Sequence, residues 1–354
     1  MDDMPAPLPS PLTAEGTHAQ RALRQRWLLA IGMLALCCLL WGWSFPVAQL
    51  AMQPFEAHLR QSLGWSHGDF PVPRRVGLSA AFNTWRMGLA AVLYALLTWR
   101  RQRGFQRSDL AGGLLVGTFF AAGMLAQNVG LRYALPSVSG FLTALLVVFA
   151  PLAQALIFRR AVGKCTWVAV VLALTGTGIL SWPVGATPAA ILTAPWPWFG
   201  EAMTILGALF FTGQVLALDH FGSRADPARL TLVMLATTAA LSGLTSLALG
   251  CGALYVPAAV TRLAADPVVW WTLGSLVVFS SVIAMHLMNV YQPSVSPAIA
   301  SVVYCLEPLF AVAFSLLFQT EHLTGTVVIG GAIILLAVLL VAWTHGGEAG
   351  AVKS

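Results

Sequence analysis

Pro136-Ser137-Val138-Ser139 and Pro293-Ser294-Val295-Ser296 stand 157 positions apart in a chain of 354 residues. Each opens an apolar stretch with a proline at the same offset, Pro151 in the first and Pro308 in the second. Each stretch then crosses a short polar break into another apolar segment, which closes on Trp182 or Trp343. The second copy is slightly longer between its proline and that last segment. The chain therefore repeats itself, and the segments around the two copies fall into two equal groups.

Working outward, ten apolar segments can be read: 27–50, 78–99, 110–131, 137–158, 166–182, 198–218, 230–249, 268–291, 298–318 and 326–343. About twenty apolar residues suffice to carry a helix across a hydrocarbon core of ~30 Å. A barrel would instead show shorter segments of alternating polarity. The predicted fold class is an all-α integral membrane protein with ten transmembrane helices in two inverted five-helix repeats. Inversion follows from the odd count, because a second group of five must enter from the opposite side. The predicted organisation is a disordered cytoplasmic tail over 1–26, repeats over 27–183 and 198–343, and a short cytoplasmic tail over 344–354.

Composition agrees. Hydrophobic residues make up 58% of the chain and charged residues only 9%, with a mean hydropathy of +0.79. A soluble domain carries roughly 25% charged residues, so a water-soluble globule is excluded, and disorder is excluded by the same numbers. Thirteen of the nineteen Lys and Arg residues fall on one side of the ten segments: Arg21, Arg24, Arg26, Arg100, Arg101, Arg103, Arg107, Arg159, Arg160, Lys164, Arg224, Arg229 and Lys353. The other side holds Arg60, Arg74, Arg75, Arg132 and Arg262, and Arg86 lies within a segment. The positive-inside rule then places both termini in the cytoplasm, with a bacterial inner (plasma) membrane as the expected location. The net charge of +6 is explained by topology and anionic lipid headgroups, without a nucleic-acid partner. Five cysteines show no zinc-site spacing and no evident disulfide pair, and no cofactor or metal is expected.

Polar residues inside the segments are the candidate site, each with a packing role as its alternative. Glu307, beside Pro308, is a mid-segment carboxylate suited to proton coupling or to a substrate amine. Tyr304 shares its helix face. His286 and Asn289 are three apart and so neighbours, and an imidazole titrates near neutral pH. Gln127, Asn128 and Gln214 supply amide donors and acceptors. Trp41, Trp43 and Ser44 lie too deep in the first segment for interfacial anchors, unlike Trp27, Trp99, Trp182, Trp198 and Trp343. Arg86 reads as a structural intramembrane charge. Gly113, Gly117 and Ala121, four apart, read as a helix-packing stripe.

Leu40-Trp41-Gly42-Trp43-Ser44-Phe45 and Leu306-Glu307-Pro308-Leu309-Phe310-Ala311 resemble the first-span and ninth-span signatures of the drug/metabolite transporter superfamily, EamA type. Glu321 falls where that family's usual loop glutamate does, and Arg86 matches a commonly placed arginine. The resemblance runs over roughly residues 27–343. Three features depart from it: Arg160 stands in place of the equivalent loop glutamate in the first half, the fourth span is short, and 52–77 makes a long outer loop with Glu56, His58, His67 and Asp69. The resemblance implies a ten-span transporter of small organic solutes, often an exporter, with a cavity lined by spans 1, 3, 4, 6, 8 and 9.

The expected function is a secondary transporter of an amino acid, metabolite or drug-like compound, working by alternating access. Its expected partners are that solute and membrane lipids, with proton coupling and a homodimer as options. An integral-membrane enzyme acting on lipid or peptide is the competing class, but the chain lacks Gly-x-Ser-x-Gly, His-Glu-x-x-His and Walker-type motifs. A passive channel is the other alternative.

Overall fold

The computed structural model describes residues 11–63, 72–133, 136–181, 198–318 and 323–345. Every regular element among them is helical. The first half holds α1 (Pro11–Leu63), α2 (Val72–Thr98), α3 (Arg107–Tyr133), α4 (Pro136–Thr143), α5 (Leu146–Leu156) and α6 (Lys164–Leu180). The second holds α7 (Phe199–Gly222), α8 (Pro227–Ala248), α9 (Pro257–Ala265), α10 (Pro267–Ser275), α11 (Ala284–Tyr291), α12 (Pro297–Tyr304), α13 (Leu306–Leu317) and α14 (Gly325–His345). A π-helical segment, Leu276–Ile283, joins α10 to α11.

Eight of the helical runs are long and apolar enough to cross a membrane, and two more, Phe141–Leu156 and Lys164–Leu180, are apolar but shorter. The fourth and ninth predicted spans are each broken into two helices, α4–α5 and α12–α13. The second break, at Cys305, lies three residues before Pro308. The missing N–H of Pro308 therefore falls in the first turn of α13, where no intrahelical partner was due.

Two expectations need correction. The stretch 52–77 was expected to be a long outer loop, but α1 runs on to Leu63 and α2 starts at Val72. The reason is a stripe at four-residue spacing: Ala51, Phe55 and Leu59 are fully buried, while Glu56 and Arg60 pair on the open face at 2.7 Å. Phe55 packs edge-on against Phe82 and Trp85 of α2. The tail over 1–26 was expected to be disordered; residues 1–10 lie outside the described residues, and from Pro11 the chain is helical. Trp182, Glu321 and His322 lie outside the described residues.

The starts of the later helices follow local chemistry. Asp226, Asp266 and Ser296 each precede a proline at the first helical position and cap the backbone N–H groups behind it.

The packing maps onto itself when the two halves are exchanged. Helix α3 packs on α7, as the α10–α11 run packs on α1; α3 also packs on α8, as α2 packs on the π-helical segment. Helix α1 packs on α13, as α7 packs on α5. The pairs α2–α8 and α6–α14 join counterparts directly, and α5–α12 joins opposite halves of the two broken spans. Glycines allow the closest approaches. A Cβ at Gly176 would stand 2.8 Å from the carbonyl oxygen of Gly330, and one at Gly330 would stand 2.6 Å from that of Gly176. Gly113 and Gly117 give α3 the same intimacy with α8, so the predicted small-residue stripe does pack helices.

Candidate functional site

Arg86 sits on α2 with only 6% of its surface exposed. Its Nε donates to Ser281 Oγ at 2.9 Å and its Nη2 to Ser280 Oγ at 2.7 Å. Both serines belong to the π-helical segment. A π-turn narrows the angle between successive residues and often marks a functional position, and here it turns two adjacent hydroxyls toward one guanidinium.

Glu307 opens α13 and is half-buried. Its electrostatic neighbours are the buried residues Arg86, Tyr304, Cys38 and Cys305. It therefore faces the interior, where α1, α2, α12 and α13 meet, rather than lipid. Among the described residues it makes no ion pair and no hydrogen bond. Such an interior carboxylate is free to bind a proton or a cationic group.

Tyr304, one turn earlier, is buried. Its hydroxyl donates away from Glu307, to Gln292 Oε1 at 2.8 Å. Trp41 stacks at a tilt on the Tyr304 ring with centroids 5.6 Å apart. Trp43 packs instead on Phe314 and Phe318 near the far end of α13. Both indole N–H groups are buried and unpaired among the described residues. Ser44 is buried on the same helix, and a Cβ at Gly42 would strike the backbone of Ala311 at 2.8 Å, so α1 lies directly against α13.

The remaining candidates stand elsewhere. His286 Nδ1 and the Tyr94 hydroxyl are 2.7 Å apart, joining α11 to α2. Asn289 Nδ2 donates to Thr231 Oγ1 on α8 at 2.9 Å, and Gln214 Nε2 to the Met288 sulfur at 3.5 Å. His286 lies six residues beyond Ser280, which is ~9 Å along a helix, toward the end that carries Arg101 and Asp226. On α3, Gln127 Nε2 donates to Thr143 Oγ1 of α4 at 3.0 Å, and Asn128 beside it is half-buried. The structure thus gathers Glu307, Arg86, Tyr304 and Trp41, places Gln127 and Asn128 on the α3–α4 side, and sets His286, Asn289 and Gln214 nearer the basic end.

Several polar residues escaped the sequence reading. Gln154 and Gln292 are buried: Gln154 Oε1 accepts from the Ala298 N–H across the halves at 3.2 Å, and Gln292 Nε2 donates within the second half to the Val215 carbonyl of α7 at 2.9 Å. Their nearness to Pro151 and Pro293 was the available signal. At the basic end, buried Asp109 accepts from the Asp226 N–H at 2.8 Å and pairs with Arg229 at 2.9 Å. Among the described residues, no three His, Cys, Asp or Glu side chains gather as metal ligands would. A groove of about 320 Å³ between α13 and α14, from Leu309 to Leu335, is lined by apolar residues and offers no chemistry.

Comparison with known proteins adds three findings. The profile of the EamA-like transporter family matches residues 74–182 and again 198–343. A protein named as an uncharacterized transporter, from Archaeoglobus fulgidus, is 26% identical over 313 residues, covering 87% of this chain and 84% of the relative. A solved crystal structure aligns with 88% of this chain and 95% of its own at a TM-score of 0.61 and 17% identity, which makes the likeness one of fold.

Proposed function

Because the chain belongs to the EamA-like transporter family and is a multi-pass integral membrane protein, we propose that it is a secondary transporter. It moves a small organic solute, an amino acid, metabolite or drug-like compound, outward across the membrane. The observation that carries this reading is the packing that maps onto itself when the halves are exchanged, with the broken helices α4–α5 and α12–α13 meeting at the centre. Discontinuous helices at the interface of inverted repeats are where secondary transporters bind solute. The basic end faces the cytoplasm by the positive-inside rule.

In this reading the ten apolar helical runs each cross the membrane once. Solute enters the space between α1–α13 and α3–α4. Trp41 offers it an aromatic face, and Gln127 and Asn128 offer amide groups. Glu307 supplies the negative charge, taking either a substrate amine or the coupling proton, and Arg86, held by Ser280 and Ser281, supplies the nearby positive charge. The reading is not enzymatic, and the family assignment supports it.

The test is transport by purified protein in proteoliposomes with a panel of labelled solutes, with and without a pH gradient. The expected result is saturable uptake of at least one solute, accelerated by unlabelled solute on the opposite side. Uptake that never saturates and shows no such acceleration would mark a channel and overturn the proposal.

A further inference from the structure

The broken helices cross with their halves unequally joined. Helices α5 and α12 pack against each other at the basic end, whereas α4 and α13, at the opposite end, make at most marginal contact among the described residues. The closed end is also the polar one. At the start of α12, Pro297 has no N–H and the Ile299 N–H is taken by Ser296 Oγ. The Ala298 N–H would be orphaned, and it finds its acceptor only across the halves, on Gln154 of α5. Tyr304 holds Gln292, and Gln292 holds the Val215 carbonyl of α7. Gln154, Gln292 and Tyr304 are exposed by 5%, 1% and 7%. Around them, Arg160 pairs with Asp219 at 2.8 Å, and Gly222 lies so close to Pro293 that a Cβ would stand 2.2 Å from its ring.

The repeat shows what the opposite closure would look like. The 157-residue offset pairs Gln154 with Ala311, Ala298 with Phe141, Tyr304 with Val147 and Gln292 with Leu135. When α4 and α13 close, none of these counterparts offers a side-chain hydrogen bond. One closure carries a buried amide bond across the halves; the equivalent positions of the other carry only apolar side chains.

We infer that Gln154 latches the gate at the basic end onto α12, that Tyr304 and Gln292 brace α12 against α7 to receive it, and that these hydrogen bonds make the state open at the opposite end the resting state. The inference rests on the transporter reading for its meaning, but its geometry does not depend on any solute. Opening the gate leaves the Ala298 N–H and the Gln154 amide oxygen without their partners until water reaches them. Their desolvation cost resists partial opening. Filling the chamber must offset that cost, so occupancy and gate opening become coupled.

Spin labels at Ala161→Cys and Ser294→Cys report the separation of α5 and α12 at the basic end. The exposed native thiol Cys165 is replaced by Ser for this purpose. In lipid nanodiscs without solute, the otherwise unaltered protein should give one short distance. Gln154→Ala, and Tyr304→Phe, which removes a single hydroxyl, should each add a longer population. Ala311→Gln, which gives the opposite closure an amide, should shift the same balance toward the longer distance. Should Gln154→Ala fold poorly, Tyr304→Phe and Ala311→Gln decide the matter. Unchanged distances in those two variants would overturn the gate. The measurement needs no transport, so a gate that responds in a protein moving no solute would refute the transporter reading alone.

Discussion

Glu307 and Arg86 are the two charges whose placement in an apolar segment announces a special role. Each costs about 2.5–3.5 kcal/mol at a helix centre on insertion scales, and that cost is legible in the sequence. What they touch is not. Among the described residues no acid stands within ion-pair distance of Arg86, which is held by two serine hydroxyls that a π-turn brings together. His286 and Asn289 were legible as neighbours on one face, yet their partners, Tyr94 and Thr231, come from helices far away in sequence. Gln154 went unnoticed because one amide in an apolar helix leaves no periodic trace. Glu307 yields the sharpest prediction at this scale. Glu307→Gln keeps shape and hydrogen-bonding capacity but removes titration. It should reach the membrane at normal levels and transport at a rate independent of the pH gradient, as followed by flux in proteoliposomes across a range of external pH. An unchanged pH profile would show that Glu307 does not carry the proton.

Among the elements, the paired Pro-Ser-Val-Ser openings and their prolines fixed the repeat, because helix starts and helix breaks are written in local chemistry. The extension of α1 to Leu63 was missed for a related reason. Glu56, His58 and Arg60 suggest a loop, but the Ala51, Phe55, Leu59 stripe repeats every four residues and is a helix signal. Close helix contacts were legible only where glycines form a stripe, as at Gly113 and Gly117. The α6–α14 contact through Gly176 and Gly330 depends on two single glycines and required the structure. Its consequence can be measured. Gly330→Ala places a methyl against the backbone of α6, and overpacking costs about 1–3 kcal/mol. That exceeds the roughly 0.5–1 kcal/mol by which alanine is favoured over glycine inside a helix. Gly32→Ala on α1 meets nothing within 4 Å and should bring only the gain. In detergent, Gly330→Ala should therefore unfold at a lower temperature than the unaltered chain, and Gly32→Ala at the same or a higher one. Equal shifts would mean that α6 and α14 do not approach as described.

For the whole molecule, the proposed reading connects sequence, packing and function through one idea: five helical spans repeated with inverted orientation. The membrane class follows from composition alone, and the expectation of inversion rests on an odd number of spans together with the basic residues after the fourth. The contact of α5 with α12 is a tertiary fact, set by which halves of the broken helices meet. Two equivalent positions in the repeat test the inversion. Ala161, in the break between α5 and α6, and Leu323, in the break between α13 and α14, are both exposed. Each is replaced singly by cysteine in a chain whose exposed Cys165 is serine, and intact cells are treated with a membrane-impermeant maleimide. The expected result is labelling at Leu323→Cys in intact cells and at Ala161→Cys only after permeabilisation. Labelling of both positions from the same side would contradict the inverted repeat, and with it the alternating-access account.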